Sequence, residues 1–180
     1  MSIFSFLIAQ EGSAVYWNSL ATDVTVGVPL VDDPTLIGGR IQVKVSFNGG
    51  KSYNEMGEIF EIEKSDIDDV KNVSIAANIF ESMAGFSEGG KAQFIAKVWD
   101  RAGNSIEGAV SDSILSIDET VPILASLKII SSNENKNLAM PGDSIIFDLN
   151  ISEPIKQPTF QINGETYNEV AVGIEKSWKL

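Results

Sequence analysis

The sequence predicts an all-β fold: two tandem antiparallel β-sandwiches, the second incomplete. Three observations predict it. Apolar residues recur with a period of two rather than 3.6. Runs of turn-forming residues separate the alternating segments. Two pairs of similar segments stand 104 residues apart: Leu20-Ala21-Thr22 resembles Leu124-Ala125-Ser126, and the run from Ile41 matches the run from Ile145. A repeat of this length suits a seven-stranded sandwich of roughly 100 residues.

The alternation is clearest at Ile41, Val43, Val45 and Phe47, which are separated by Gln42, Lys44 and Ser46. Phe94, Ala96 and Val98 form a second run, and Ile145, Phe147, Leu149 and Ile151 a third. Such a pattern sets one face of a strand on a core and the other toward water. These residues are the expected cores of the two units, with Trp99 and Trp178 as the expected buried tryptophans. Asn48-Gly49-Gly50, Ala102-Gly103-Asn104, Pro141-Gly142-Asp143 and Asn163-Gly164 read as turns, since Asn and Gly accept the positive φ of tight hairpins. Residues 65–70 and 79–86 are short helical-looking stretches, read as loop turns on a β scaffold.

The expected organisation follows from the offset. Residues 1–14 form a signal remnant or an N-terminal extension, either a first strand or a frayed end of the chain. Residues 15–119 form the first sandwich and residues 120–180 a second, truncated one, with the boundary near the DETVP stretch at 118–122. The apolar run Met1–Ala9 lacks the basic residues that open a secretory signal. It is also far shorter than the roughly 20 apolar residues of a membrane span.

Composition excludes several chemistries. The chain has no His and no Cys, so Ser-His-Asp and Cys-His catalysis, disulfides and thiolate zinc sites are ruled out. Thirteen basic residues stand against 25 acidic ones, a formal charge of −12, which disfavours nucleic acid and anionic membranes as partners. No Gly pair carries a G-K-[ST] at the start of a helix, as a phosphate loop does. Acid pairs suited to a glycosidase occur by chance in any chain so rich in carboxylates, and a small sandwich fills its interior with side chains. The expectation is therefore a protein that is not an enzyme.

The most specific motif is VWDRAGN, Val98 to Asn104. Physically, Asp100 is suited to accept backbone N–H groups across the turn, and Gly103 to the conformation other residues resist. The stretch resembles the D-x-A-G-N turn that precedes the last strand in bacterial immunoglobulin-like repeats of secreted and surface proteins. Asp118-Glu119-Thr120-Val121-Pro122 is similar to the linker that follows that strand, and Pro141 to Ile145 and Ser152 to Ile155 resemble the same family. The resemblance implies tandem immunoglobulin-like sandwiches and a non-catalytic spacer or adhesion repeat of a larger protein, extracellular or on the cell surface. Its partners would be other repeats of the same chain, a surface glycan or another protein. The alternative is an accessory carbohydrate-binding module of a secreted hydrolase.

Two kinds of site residue follow. Calcium takes six to eight oxygen ligands, and an ion at the linker would stiffen an array, so Asp100, Asp118 and Glu119 are the metal candidates; otherwise no cofactor is expected. No EF-hand loop is present. Tyr16, Trp17, Tyr53 and Trp178 are the aromatic candidates for stacking on sugars. Ser46 to Tyr53 is similar to the Asp-box hairpin of sialidases, with Asn48, Ser52 and Tyr53 replacing its Asp, Thr and Trp. A sialidase holds its substrate with three arginines, and this chain has only Arg40 and Arg101.

Overall fold

The computed structural model describes residues 15–156, 158–162, 164–167, 172–174 and 177–179. The chain is all-β and divides into two units, residues 1–120 and 121–180. The expected signal remnant or extension, residues 1–14, lies outside the described residues.

The first unit contains β1 (Val15–Trp17), β2 (Asp23–Pro29), β3 (Arg40–Ser46), β4 (Asn54–Glu61), β5 (Val70–Ala76), α1 (Ala77–Glu81), β6 (Lys91–Trp99), β7 (Ser105–Glu107) and β8 (Leu115–Ile117). One sheet runs β1-β8-β6-β3-β4, with β7 also paired to β6, and β2 pairs with β5 in a separate sheet. All pairs are antiparallel except β1 with β8.

The alternation read from the sequence accounts for the core. Ile41, Val43 and Val45 of β3 and Phe94, Ala96 and Val98 of β6 are buried. They meet Val24, Val26 and Val28 of β2 and Val73 and Ile75 of β5 in a single cluster, so the two sheets share one sandwich-like core. Phe47, expected in that core, packs on its margin. The 65–70 stretch holds a 3-10 turn at Lys64–Asp66, closed reciprocally by Glu63 and Asp66, and the 79–86 stretch overlaps α1.

The core tryptophan is not the expected one. Trp17 is buried, whereas Trp99 is half-buried on the other face of its sheet. Strand parity explains this, because Val98 and Trp99 are neighbours on β6 and only one of them can face inward. The Trp99 ring instead lies beneath Arg40 and Lys97, at 5.0 and 4.9 Å from its centroid. Trp17 packs edge-on against Phe80 at 4.8 Å, and among the described residues its Nε1–H has no acceptor. A buried, unpaired donor is unfavourable. Trp17→Phe should therefore cost only about 1–2 kcal/mol in denaturant unfolding, against roughly 3–5 for Trp17→Ala.

The second unit contains β9 (Leu124–Ser131), β10 (Ile145–Ile151), β11 (Phe160–Ile162), β12 (Glu165–Tyr167), β13 (Val172–Ile174) and β14 (Ser177–Lys179). The strands form a β13-β14-β10-β9 sheet and a separate β11–β12 hairpin. Leu127, Ile129, Ile145, Phe147 and Leu149 share one face through the register of β9 and β10. That face is open: Leu127, Ile129 and Ile145 are 47%, 58% and 40% exposed. The side chain of Trp178 lies outside the described residues.

The 104-residue offset predicts equivalent strands, yet their pairings differ. β3 pairs with β4 and β6, while β10 pairs directly with β9. The connections decide this. Asp33 caps a 3-10 turn at Pro34–Leu36, between β2 of one sheet and β3 of the other. Ahead of β10, Asp143 accepts from Asn133 Nδ2 at 2.8 Å and the Met140 N–H at 2.7 Å, and Ser132 bonds with Ser144. These bonds close the β9–β10 hairpin.

Candidate functional site

Asp100 sits at the C-terminal end of β6, in the turn to β7. The Asn104 N–H and Nδ2 donate to its two carboxylate oxygens, each at 2.8 Å, and Gly103 carries φ +95°. The motif at 100–104 thus does the structural work expected from its chemistry. The Asn104 side chain is the main cause of a carboxyl pKa below the ordinary value, with backbone N–H groups adding to it.

Asp118 and Glu119 follow β8. The Asp118 N–H donates to the Trp17 carbonyl, and the Glu119 N–H to Glu88 Oε2 at 2.8 Å. β8 pairs with β6 at Lys91 and Ala92, so this pair lies at the opposite end of β6 from Asp100. Nine residues of strand separate those ends by about 30 Å. The structure does not bring Asp100 to Asp118 and Glu119, so one calcium ion cannot take all three as ligands. Among the described residues, no group of three or more carboxylates is arranged around a common metal position.

The aromatic candidates are equally dispersed. Trp17 is core rather than surface. Tyr16 is half exposed on β1, at one edge of the large sheet. Tyr53 precedes β4 at the other edge; burial raises its pKa, and its hydroxyl oxygen is enclosed close to Gly50. Four strand spacings, about 19 Å, separate those edges. In the Asp-box-like hairpin, Asn48 Oδ1 accepts from the Ser52 N–H and the Ser46 hydroxyl, while Gly49 and Gly50 take φ +72° and +81°. Its polar groups are spent on the turn itself.

One concavity stands out on the first unit: an open, apolar groove of about 520 Å³ near the ends of β2 and β6. Leu30 and Val98 floor it, Ile106 and Val31 flank it, and Asp33 and Glu107 are its acids. Both acids are held below their ordinary carboxyl pKa. Thr35 does so for Asp33, through its hydroxyl and its N–H, and the Lys44 ammonium does so for Glu107. Sequence reading passed over this groove because its walls come from three separate segments of the chain.

The depressed carboxyls have a consequence for pH. A carboxyl with a lower pKa in the folded state contributes stability above its unfolded pKa of about 3.9, and that stability disappears as pH falls through the folded value. Asp23, Asp33, Asp66, Asp100, Glu107 and Asp143 all shift downward. Unfolding midpoints should be level near neutrality and drop below about pH 4. Asp100→Asn should lower the midpoint at pH 7 and differ less from the parent at pH 3.

Compared with known protein families and with curated proteins, the chain matches none.

Proposed function

We propose that the chain is a non-catalytic spacer or adhesion repeat of a larger extracellular or cell-surface protein, built from tandem immunoglobulin-like sandwiches. The observation that carries this reading is the strand order of the first unit around a filled interior. On this reading β2 with β5 would correspond to strands B and E, and β7 with β8, then β6, β3 and β4, to G, F, C and C′. The turn at Asp100 to Asn104, between β6 and β7, is consistent with this reading. The two sheets fill the space between them with Val, Ile and Phe side chains. Such modules act mechanically, in series, with stability distributed over the repeats.

A glycan screen with the full chain tests this against the carbohydrate-binding alternative. The expected result is no retained glycan. Saturable binding that Tyr16→Ala or Trp99→Ala weakens would replace the spacer with a binding module. Thermal unfolding in excess calcium and in chelator addresses Asp118 and Glu119. A higher midpoint in calcium, lost in a double Asp118→Asn, Glu119→Gln variant, would assign them as ligands. Equal midpoints would leave a repeat without a linker ion.

A further inference from the structure

We propose that the open apolar face of the β9–β10 sheet is a contact between two copies of this chain, packed face to face. The two sides of this sheet differ in character. Register sets Leu127, Ile129, Ile145, Phe147 and Leu149 on one face, with Leu124 opposite Ile151 beyond the bulge. β9 and β10 bring no charged residue to that face. The other face is polar, with Lys128 opposite Asp148 and Ser126 opposite Asn150. An antiparallel sheet patterned in this way buries its apolar side and wets the other.

In the second unit the apolar side lacks its cover. Among the described residues, the buried apolar cluster is drawn from residues 17–117, all in the first unit. Among those of the second unit, Ile151 is the one buried apolar side chain, while Leu124, Leu127, Ile129 and Ile145 are 40–58% exposed. Strands of eight and seven residues make the face about 24 Å long, and four strands make it roughly 15–19 Å wide. A contiguous apolar area of several hundred Å² marks an interaction surface. Two such faces together bury an area at the low end of specific interfaces, so the association is weak and depends on concentration.

Charge selects a second copy as the occupant. The chain carries −12, so two copies repel wherever their charged surfaces meet. A face without charge is where they can approach, and an oppositely charged partner gains nothing from it. Apolar attraction is non-directional, so the face complements itself about a two-fold axis. Two sheets stacked in this way lie about 10 Å apart with their inner side chains interleaved. The contact rests on the second unit alone and is independent of the spacer reading.

Sedimentation of the full chain, from micromolar to hundreds of micromolar, tests the proposal. The expected result is a monomer at the low end passing to a dimer at the high end. Added salt should strengthen the dimer, because it screens the repulsion between acidic copies. Ile129→Glu, which sets an unpaired charge in the contact, should weaken association about tenfold or more. Ser126→Glu adds the same charge on the polar face and should leave association unchanged. Ile129 is exposed in the single chain, so the charge there is compatible with folding, which far-ultraviolet circular dichroism checks. Ile129→Thr keeps the β-branched shape that strands favour and should still weaken association several-fold. A monomer at every concentration would overturn the proposal and leave the face to a different partner. So would a dimer that both Ile129 variants leave intact, or one that Ser126→Glu weakens equally, which would assign another surface or the edge of β9. A dimer that salt dissociates would point to an ionic contact and overturn it as well.

Discussion

Phe80→Ala is expected to destabilise the first unit by about 3–5 kcal/mol, the range for removing a large aromatic from a packed core. Phe80 is fully buried, although it belongs to a helix of one turn in a β protein. Its ring lies 4.8 Å from Trp17, 5.3 Å from Phe86, 5.7 Å from Phe47 and 6.0 Å from Phe94. It therefore joins β1, the turn after β3, the segment after α1 and β6 at one point. Each of these contacts is a centroid separation at which aromatic rings attract beyond simple area burial. On the usual scaling for a domain near 100 residues, Tm should fall by roughly 15–30 °C. Phe80→Leu should recover about half of the loss, because it restores most of the volume and none of the ring geometry. Circular dichroism melts of the three proteins measure this. A loss no larger than that of the partly exposed Phe86→Ala would remove Phe80 from the centre of the core.

Gly39→Ala is expected to cost on the order of 3 kcal/mol through overpacking against backbone that cannot yield. A Cβ at this position would overlap the Trp99 carbonyl oxygen and stand 2.8 Å from the Leu36 carbonyl oxygen. Neither oxygen is free to move. The Leu36 carbonyl accepts the Gly39 N–H, and Trp99 is held in the β3–β6 ladder opposite Arg40. The Ile62 N–H also donates to the Gly39 carbonyl, so the segment is pinned on several sides. Gly89→Ala is the matched control. Gly89 has φ +71° but open space around it, so Ala there meets only the left-handed backbone penalty of about 1–2 kcal/mol. Denaturant midpoints should rank parent, Gly89→Ala and Gly39→Ala in that order. The reverse order would mean that backbone strain, not the steric wall at Trp99, controls glycine use in this protein.

What was legible in the chain depended on how local the cause was. Ile41, Val43 and Val45 declared their inward face through alternation with Gln42 and Lys44, although Gln42 and Ser46 on the face expected toward water are also buried, Gln42 donating to the Met56 carbonyl. Asp100 declared its role because its partners Gly103 and Asn104 lie within four residues. Phe80 gave no such signal: a single turn of helix has no periodicity to read, and its burial depends on four aromatic partners brought together from distant segments. The same holds for the groove, which Leu30, Val98 and Ile106 line only after β2, β6 and β7 converge. The candidate calcium ligands were grouped by sequence proximity to the linker and by motif, and distance along the chain carried no information about the length of β6 between them.

By itself, the sequence determined the all-β class, the turn at 100–104, the inward residues of β3 and β6, and the exclusion of His- and Cys-dependent chemistry. Each rests on local pattern or on residue types that are simply absent. Only the tertiary structure decided which tryptophan is core, that Phe80 organises the aromatic cluster, that Asp100 stands a strand's length from Asp118, and that β9 pairs directly with β10. Each of these is set by strand parity and by which strands lie side by side. Pairing depends on loop connections and shared burial across the whole unit, a property no short stretch of chain encodes on its own.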